Sequence, residues 1–95
     1  MALLDRFRRK KEEETLRTAR LLRTGRIVEG RVLDVTLDVA GSITQIFYSY
    51  NIAGAEYESS QALGAEQQRR GADYFPGASI VIRYDPRQPG NSLVV

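Results

Sequence analysis

The segment Tyr74–Pro89 constrains the fold of this 95-residue chain more than any other part of its sequence. Its Pro-Gly pair predicts a turn, and the residues that follow alternate with the two-residue period of a half-buried β-strand. The inward face of that strand is formed by Ile80, Ile82 and Tyr84. Pro86 and Pro89 cannot donate to a strand ladder, so they predict where the strand stops. The segment therefore indicates a β fold, and it carries no catalytic motif.

Similar alternation predicts four more strands, at residues 26–39, 43–52, 56–61 and 92–95. In the first of them the apolar phase slips near Gly30, which predicts a bulge or sharp bend at that glycine. The Ala-Gly-Ala sequence at residues 53–55 is typical of a hairpin turn, and residues 62–70 favour a short helix. We therefore predict a mainly β fold: a small five-stranded antiparallel barrel or strongly bent sheet, with an N-terminal α-helix and a short helix before the fourth strand.

The composition makes several classes of function improbable. The chain has no cysteine and no histidine. It therefore lacks thiolate nucleophiles and Cys-based metal sites, as well as the commonest general base and transition-metal ligand. The acidic residues after position 26 occupy outward strand positions and turns, and the sequence has no calcium-binding or phosphate-binding loop. We expect no enzyme activity, no catalytic residue, no cofactor, no metal and no small-molecule substrate.

Residues 1–25, the basic arm, differ in composition from residues 26–95, the β domain. The first 26 residues hold nine basic and four acidic side chains, a net charge of +5, whereas the rest hold five and eight, a net charge of −3. Good helix formers predict a helix over Leu3–Thr24. We expect only its second half to pack on the β domain, through the cluster Leu16, Ala19 and Leu22, with Leu21 as a further candidate.

The location of the protein is predicted from what the sequence does not contain. No segment approaches the roughly 18–20 apolar residues of a membrane span. The first four residues run directly into charged ones, which is unlike a signal peptide. We therefore expect a cytoplasmic protein, and the alternative is a location at the membrane surface.

Several motifs of the β domain occur in an order and spacing that can be compared with known families. Gly30-Arg31-Val32 opens the long strand, Tyr48-Ser49-Tyr50 precedes the Ala-Gly turn, and Tyr84-Asp85-Pro86 ends the alternating strand. Over residues 26–95, though not the arm, this pattern resembles a bacterial family catalogued as domain of unknown function 3592. The resemblance implies a small, mostly β domain, often attached to membrane helices, with no established activity or site residues. This chain has no predicted membrane span, which weakens a membrane role inferred from the family.

The aromatic residues allow two interpretations. We expect the core to hold those that share the phase of the apolar strand positions, namely Tyr48, Tyr50, Tyr57 and Tyr84. Phe47 is out of phase: it either packs under the arm, which we favour because the leucine face of the helix needs a partner, or is exposed and marks an interaction patch. Small barrels that bind single-stranded nucleic acid stack bases on exposed aromatic rings, and Phe47 and Tyr48 are the candidates for such stacking.

The N-terminal half of the arm combines apolar and basic residues. With Phe47, the candidate interaction residues are Leu4, Phe7, Arg8, Arg9, Lys10 and Lys11. This segment is compatible with self-association, which we favour, with peripheral contact to an anionic membrane, or with a disordered tip. We predict a non-enzymatic interaction module that binds protein, including a second copy of itself through the arm. The alternative is a small-barrel nucleic-acid-binding protein that uses the basic arm and exposed aromatic residues.

Overall fold

A computed structural model describes the backbone of residues 2–95 and the side chains of residues 8–95. The strands pair antiparallel in the order β3-β2-β1-β4-β5 and form a nearly closed, barrel-like sheet. The predicted class, the five strands, the N-terminal helix and the short helix before the fourth strand are confirmed. The elements are α1 (Ala2–Thr24), β1 (Arg26–Leu37), β2 (Ile43–Ile52), β3 (Ala55–Ala62), α2 (Ala65–Arg69), a 3-10 turn (Gly71–Tyr74), β4 (Ser79–Asp85) and β5 (Gln88–Val94).

The central strand, β1, has two partners and one irregularity between its halves. Its first half pairs with β4 and its second half with β2. The register with β2 shifts between Val32 and Asp34, so Leu33 is an extra residue in β1. This bulge moves the inward face from even to odd positions, and it explains the slip in the apolar pattern. The bulge was predicted at Gly30 and lies three residues later, because Val32 still keeps the inward phase of the first half.

Gly30 has a different role, which is to let β1 pass close to its neighbours. A Cβ atom placed on Gly30 would meet Cδ1 of Ile82 and would lie 2.6 Å from the carbonyl oxygen of Ser49. A glycine inside a strand commonly marks such a close approach. The Gly30 position therefore excludes any side chain unless β1 or β2 moves.

The last strand is longer than the sequence predicts. β5 begins at Gln88 rather than at residue 92, and it contains Pro89. Because β5 is an edge strand, the missing N–H of Pro89 does not interrupt a ladder on its outer side. Asp85 closes the preceding turn by accepting a hydrogen bond from the backbone N–H of Arg87 at 2.8 Å. Pro86 therefore lies in the turn between β4 and β5, and Pro89 lies within the edge strand β5. The sheet continues past both prolines.

The interior of the barrel is filled by aliphatic and tyrosine side chains. Tyrosine rings stack along β2, where the centroids of Tyr48 and Tyr50 are 6.0 Å apart, and between β2 and β3, where those of Tyr50 and Tyr57 are 5.5 Å apart. Tyr48 and Tyr50 are buried, and Tyr57 and Tyr84 are half-buried against the core, so their predicted core placement is confirmed. The largest fully buried side chains are Tyr48, Ile46, Ile82, Val32 and Val94.

The edge strands β3 and β5 meet through side chains, without a backbone ladder between them in the described residues. Oε1 of Gln61 on β3 accepts a hydrogen bond from the N–H of Val94 at 2.8 Å, and its Nε2 donates to the carbonyl of Val94 at 3.1 Å. Nε2 of Gln67, in the middle of α2, donates to the same carbonyl at 3.0 Å. One glutamine side chain thus satisfies both backbone groups of Val94, as a strand partner would.

Replacing Gln61 with alanine should lower the free energy of unfolding by about 1–3 kcal/mol, because the N–H of the buried Val94 loses its partner. Gln88→Ala is the matched control, since Gln88 is an exposed glutamine on β5 and should change stability by less than about 0.5 kcal/mol. Urea denaturation followed by tyrosine fluorescence measures both. Equal losses in the two variants would show that the Gln61 bonds contribute nothing to closure.

Candidate interaction surface

α1 is attached to the β domain by one side of its C-terminal half. Leu21 is 3% exposed, and Arg17 and Thr18 are half-buried, whereas residues 8–16 are all exposed. In the described part of the chain α1 contacts β4 and β5, and Arg83 of β4 donates to the carbonyl of Gly25 at 3.3 Å. In residues 8–24, the part of α1 whose side chains are described, only the second half packs on the β domain, as predicted.

Arg17 makes the polar part of this attachment. Its Nη1 donates to Oδ1 of Asn91 at 2.8 Å and to the carbonyl of Ser92 at 3.0 Å, both on β5. Its Nη2 and Nε donate to the carboxylate of Glu14, one turn earlier in α1, at 2.6 and 3.2 Å. The three-residue spacing of Glu14 and Arg17 is typical of an ion pair on a helix, but nothing in the sequence points to the contact with β5.

The Glu14–Arg17 pair adds a contribution to this attachment that depends on pH. The hydrogen bond from Arg17 lowers the pKa of Glu14, against a smaller opposing effect of desolvation, and the same bond raises the pKa of Arg17. A carboxyl group whose pKa is lower in the folded state stabilises that state above its unfolded pKa, and this contribution is lost as the pH falls through the lowered value. The ion pair therefore supports the attached helix at neutral pH and stops doing so only in acid.

Replacing Arg17 with methionine should loosen α1 without unfolding the barrel. The change keeps a long apolar stem but removes both bonds to β5, and hydrogen bonds to a charged group contribute about 1.5–3 kcal/mol net when well formed. We expect amide exchange of residues 18–24 to rise at least about tenfold, since about 1.4 kcal/mol corresponds to a factor of ten. Arg20→Met, at an exposed arginine of the same helix, should leave this exchange unchanged. If both variants exchange alike, Arg17 does not hold the helix.

The apolar cluster predicted to pack on the β domain faces solvent instead. Leu16 is 64% and Leu22 48% exposed, and Ala19 between them is exposed too. Ala19 and the buried Leu21 are about 160° apart around a helix with 3.6 residues per turn. The prediction holds for its further candidate, Leu21, and is wrong for the other three residues, because the side of α1 that meets β4 and β5 is the one that carries Leu21 and Arg17. We call Leu16, Ala19 and Leu22 the outer face of α1.

The remaining candidate residues lie apart from one another. Arg8, Arg9, Lys10 and Lys11 are exposed on the part of α1 that precedes its attachment. Leu4 and Phe7 lie outside the residues whose side chains are described. Phe47, on β2, is 39% exposed on the outer side of the sheet, where its neighbours are Asp34 and Ser60. The favoured prediction that Phe47 packs under the arm is wrong, because α1 lies over β4 and β5.

The described residues bring together no set of groups with evident catalytic or metal-binding chemistry. Residues 8–95 contain no cluster of three or more acidic side chains placed to hold a metal ion. Tyr48 is fully buried and bonds Oγ of Ser92 at 2.7 Å, so it offers no ring for base stacking. Within the same residues, no helix is long and apolar enough to cross a membrane. Of the residues singled out in the sequence, those that the structure describes as exposed are the outer face of α1, the basic residues before it and Phe47.

These features define a class of protein: a small barrel-like β domain that carries a largely exposed helical arm. The chain belongs to the family described as domain of unknown function DUF3592, whose family model matches residues 23–95. This match confirms the resemblance seen in the sequence of the β domain, and it leaves out nearly all of α1. The chain matches no curated protein and no solved structure at a significant level.

Proposed function

We propose that this protein is a non-enzymatic protein-interaction module whose docking surface is the outer face of α1. The observation that carries the proposal is the exposure of Leu16 and Leu22 on the side of the helix turned away from the β domain. Apolar side chains exposed side by side are a common sign of an interaction site. Here they lie on a regular helix, the element most often laid against a partner through residues three and four apart.

The length of α1 gives a second reason. α1 spans 23 residues, yet the side chains that attach it to the barrel come from its last two turns. Isolated helices shorter than about 12–15 residues are marginal in water, so the exposed first half gains little from its own propensity alone. A partner laid along the outer face would supply packing on the side of α1 that the barrel does not cover.

The chemistry of the chain supports a binding role over a catalytic one. A chain without histidine or cysteine has few means of moving protons or attacking bonds near neutral pH. Two exposed leucines and an alanine, flanked by glutamate and arginine, are suited to bind another protein surface by apolar contact with a charged rim.

A photo-crosslinking amino acid placed at position 22, in the cells that produce the protein, tests the proposal. We expect a protein adduct at position 22 that Leu16→Glu abolishes. The same crosslinker at position 58, an exposed site on β3, should give no such adduct. A nucleic-acid adduct or no adduct at position 22 would contradict the proposal, and a nucleic-acid adduct would favour the alternative in which the basic arm binds phosphates.

A further inference from the structure

We propose that the partner of the outer face of α1 is a second copy of this chain, docked with the two helices antiparallel and a two-fold axis at Ala19. This inference rests on the proposed function and names its partner. It uses the described side chains of α1 from Glu12 to Arg23 and no others.

The barrel and the outer face lie on different sides of α1, which leaves room for such a dimer. The barrel occupies the side of Leu21, and Ala19, at the centre of the outer face, lies about 160° away from it. A second helix can therefore lie along the outer face while its own barrel points away on the far side. Both copies then use the same patch, as a closed two-fold interface requires.

The apolar residues of the outer face are complementary to themselves. With the two-fold axis at Ala19, each residue faces the residue of the other copy that is equally far from Ala19 in the opposite direction along the helix. Leu16 of each copy therefore faces Leu22 of the other. Ala19 faces its own counterpart at the point where the helices cross. A small residue there allows close approach of the axes, to about 8–10 Å.

The charges along the same face select the antiparallel arrangement. Glu12 and Arg23 are both exposed and lie at opposite ends of the outer face. In the antiparallel pair Arg23 of each copy faces position 15 of the other, one helical turn from that copy's Glu12, so opposite charges come close at both ends. In a parallel pair Glu12 would face Glu12 and Arg23 would face Arg23, and like charges so placed repel.

The size of the contact predicts a weak dimer. Two leucines and an alanine from each copy, with a charged rim, form an interface well below the roughly 1,200 Å² of a stable complex. The association should therefore depend on concentration and be favoured where the protein is abundant. A transient dimer is best detected by trapping it covalently.

Ala19→Cys provides the trap, because the chain has no other cysteine. Helix axes 8–10 Å apart, with Cα atoms on cylinders of about 2.3 Å radius, leave the two facing Cα atoms about 5 Å apart, within reach of a disulfide. Thr24→Cys is the matched control. Its two copies would be about 15 Å apart along the axis, too far to bridge. We expect mild oxidation of the purified protein to give a dimer with Ala19→Cys at least about tenfold faster than with Thr24→Cys, at equal thiol reactivity.

Charge exchange tests the direction of the helices. Glu12→Arg and Arg23→Glu should each weaken association several-fold, as measured by sedimentation of the purified chain, and the double variant should restore it because opposite charges meet again. A parallel dimer would show no such restoration, since the double variant still places like charges opposite each other. Circular dichroism of each variant checks that α1 remains helical.

The outcomes separate this inference from the proposed function. A purified chain that stays monomeric, with no preferential disulfide at position 19, overturns the dimer. If the crosslinker at position 22 nevertheless captures a different protein in cells, the docking surface stands with another partner. If position 22 captures no protein and the chain does not self-associate, both proposals fail.

Discussion

Replacing Tyr48 with alanine should remove about 3–5 kcal/mol from the free energy of unfolding, the largest effect that we expect of any single change. Tyr48 is fully buried, its ring stacks on Tyr50, and its hydroxyl bonds Oγ of Ser92. A domain of 95 residues has roughly 5–14 kcal/mol in all, at about 0.05–0.15 kcal/mol per residue. The variant should therefore lose a large fraction of the total stability. Urea or thermal denaturation measures the loss.

Tyr48→Phe separates the ring from the hydroxyl. It keeps the packing but leaves the buried Oγ of Ser92 without its partner, which costs about 1–3 kcal/mol. Adding Ser92→Ala should recover part of that cost, because the orphaned hydroxyl is then removed as well. A double variant whose loss equals the sum of the two single losses would mean that the Tyr48–Ser92 bond is energetically irrelevant. A Tyr48→Ala protein as stable as the parent would mean that the ring is not part of the core.

Gly30→Ala should be the second most damaging change, with an expected loss of about 1–3 kcal/mol or more. The added methyl group collides with the side chain of Ile82, which is fully buried, and with the carbonyl oxygen of Ser49, which belongs to the β2 backbone. Neither neighbour can move without disturbing the packing or the β1–β2 ladder. Relief therefore requires a shift of β1 itself.

Gly90→Ala is the matched control for this prediction. Gly90 is also a strand glycine, in β5, and a Cβ there would meet only Cδ1 of Tyr57 at an ordinary 3.8 Å. Because alanine loses less backbone entropy than glycine on folding, this change should be neutral or stabilise by up to about 1 kcal/mol. Similar destabilisation at both glycines would show that any glycine-to-alanine change in a strand lowers stability, and that the close contacts around Gly30 are not the cause.

The β domain could be predicted from sequence because its signals are local and agree with one another. The alternation of Ile80, Ile82 and Tyr84 gives the inward face of β4, and the phase of Tyr48 and Tyr50 gives that of β2. The bulge was expected for the right reason and misplaced by three residues. A change of phase shows that one extra residue exists, whereas its position depends on the register of the partner strand, which the sequence does not contain.

The attachment of α1 could not be predicted in the same way. Periodicity identifies an apolar face, here Leu16, Ala19 and Leu22, but it does not say whether that face meets the chain's own sheet or another molecule. The side that attaches contains Arg17, and its hydrogen bonds to β5 cannot be predicted from the spacing of residues along the helix. The interpretation of Phe47 depended on the same assumption about the helix, so both predictions were wrong together.

The junction of β3 with β5 is the place where this domain can open locally. In the described residues, the hydrogen bonds that join β3 and α2 to β5 at this seam come from the side chains of Gln61 and Gln67 to Val94, so the barrel can part there without breaking any backbone ladder. We expect amides near the end of β5 to exchange through a subglobal opening of lower free energy, while those at the centre of β1 exchange only when the whole domain unfolds. The same opening would briefly expose β5 as an unpaired edge strand. The hydrogen bonds of Gln61 and Gln67 to Val94 therefore limit unwanted strand pairing between molecules.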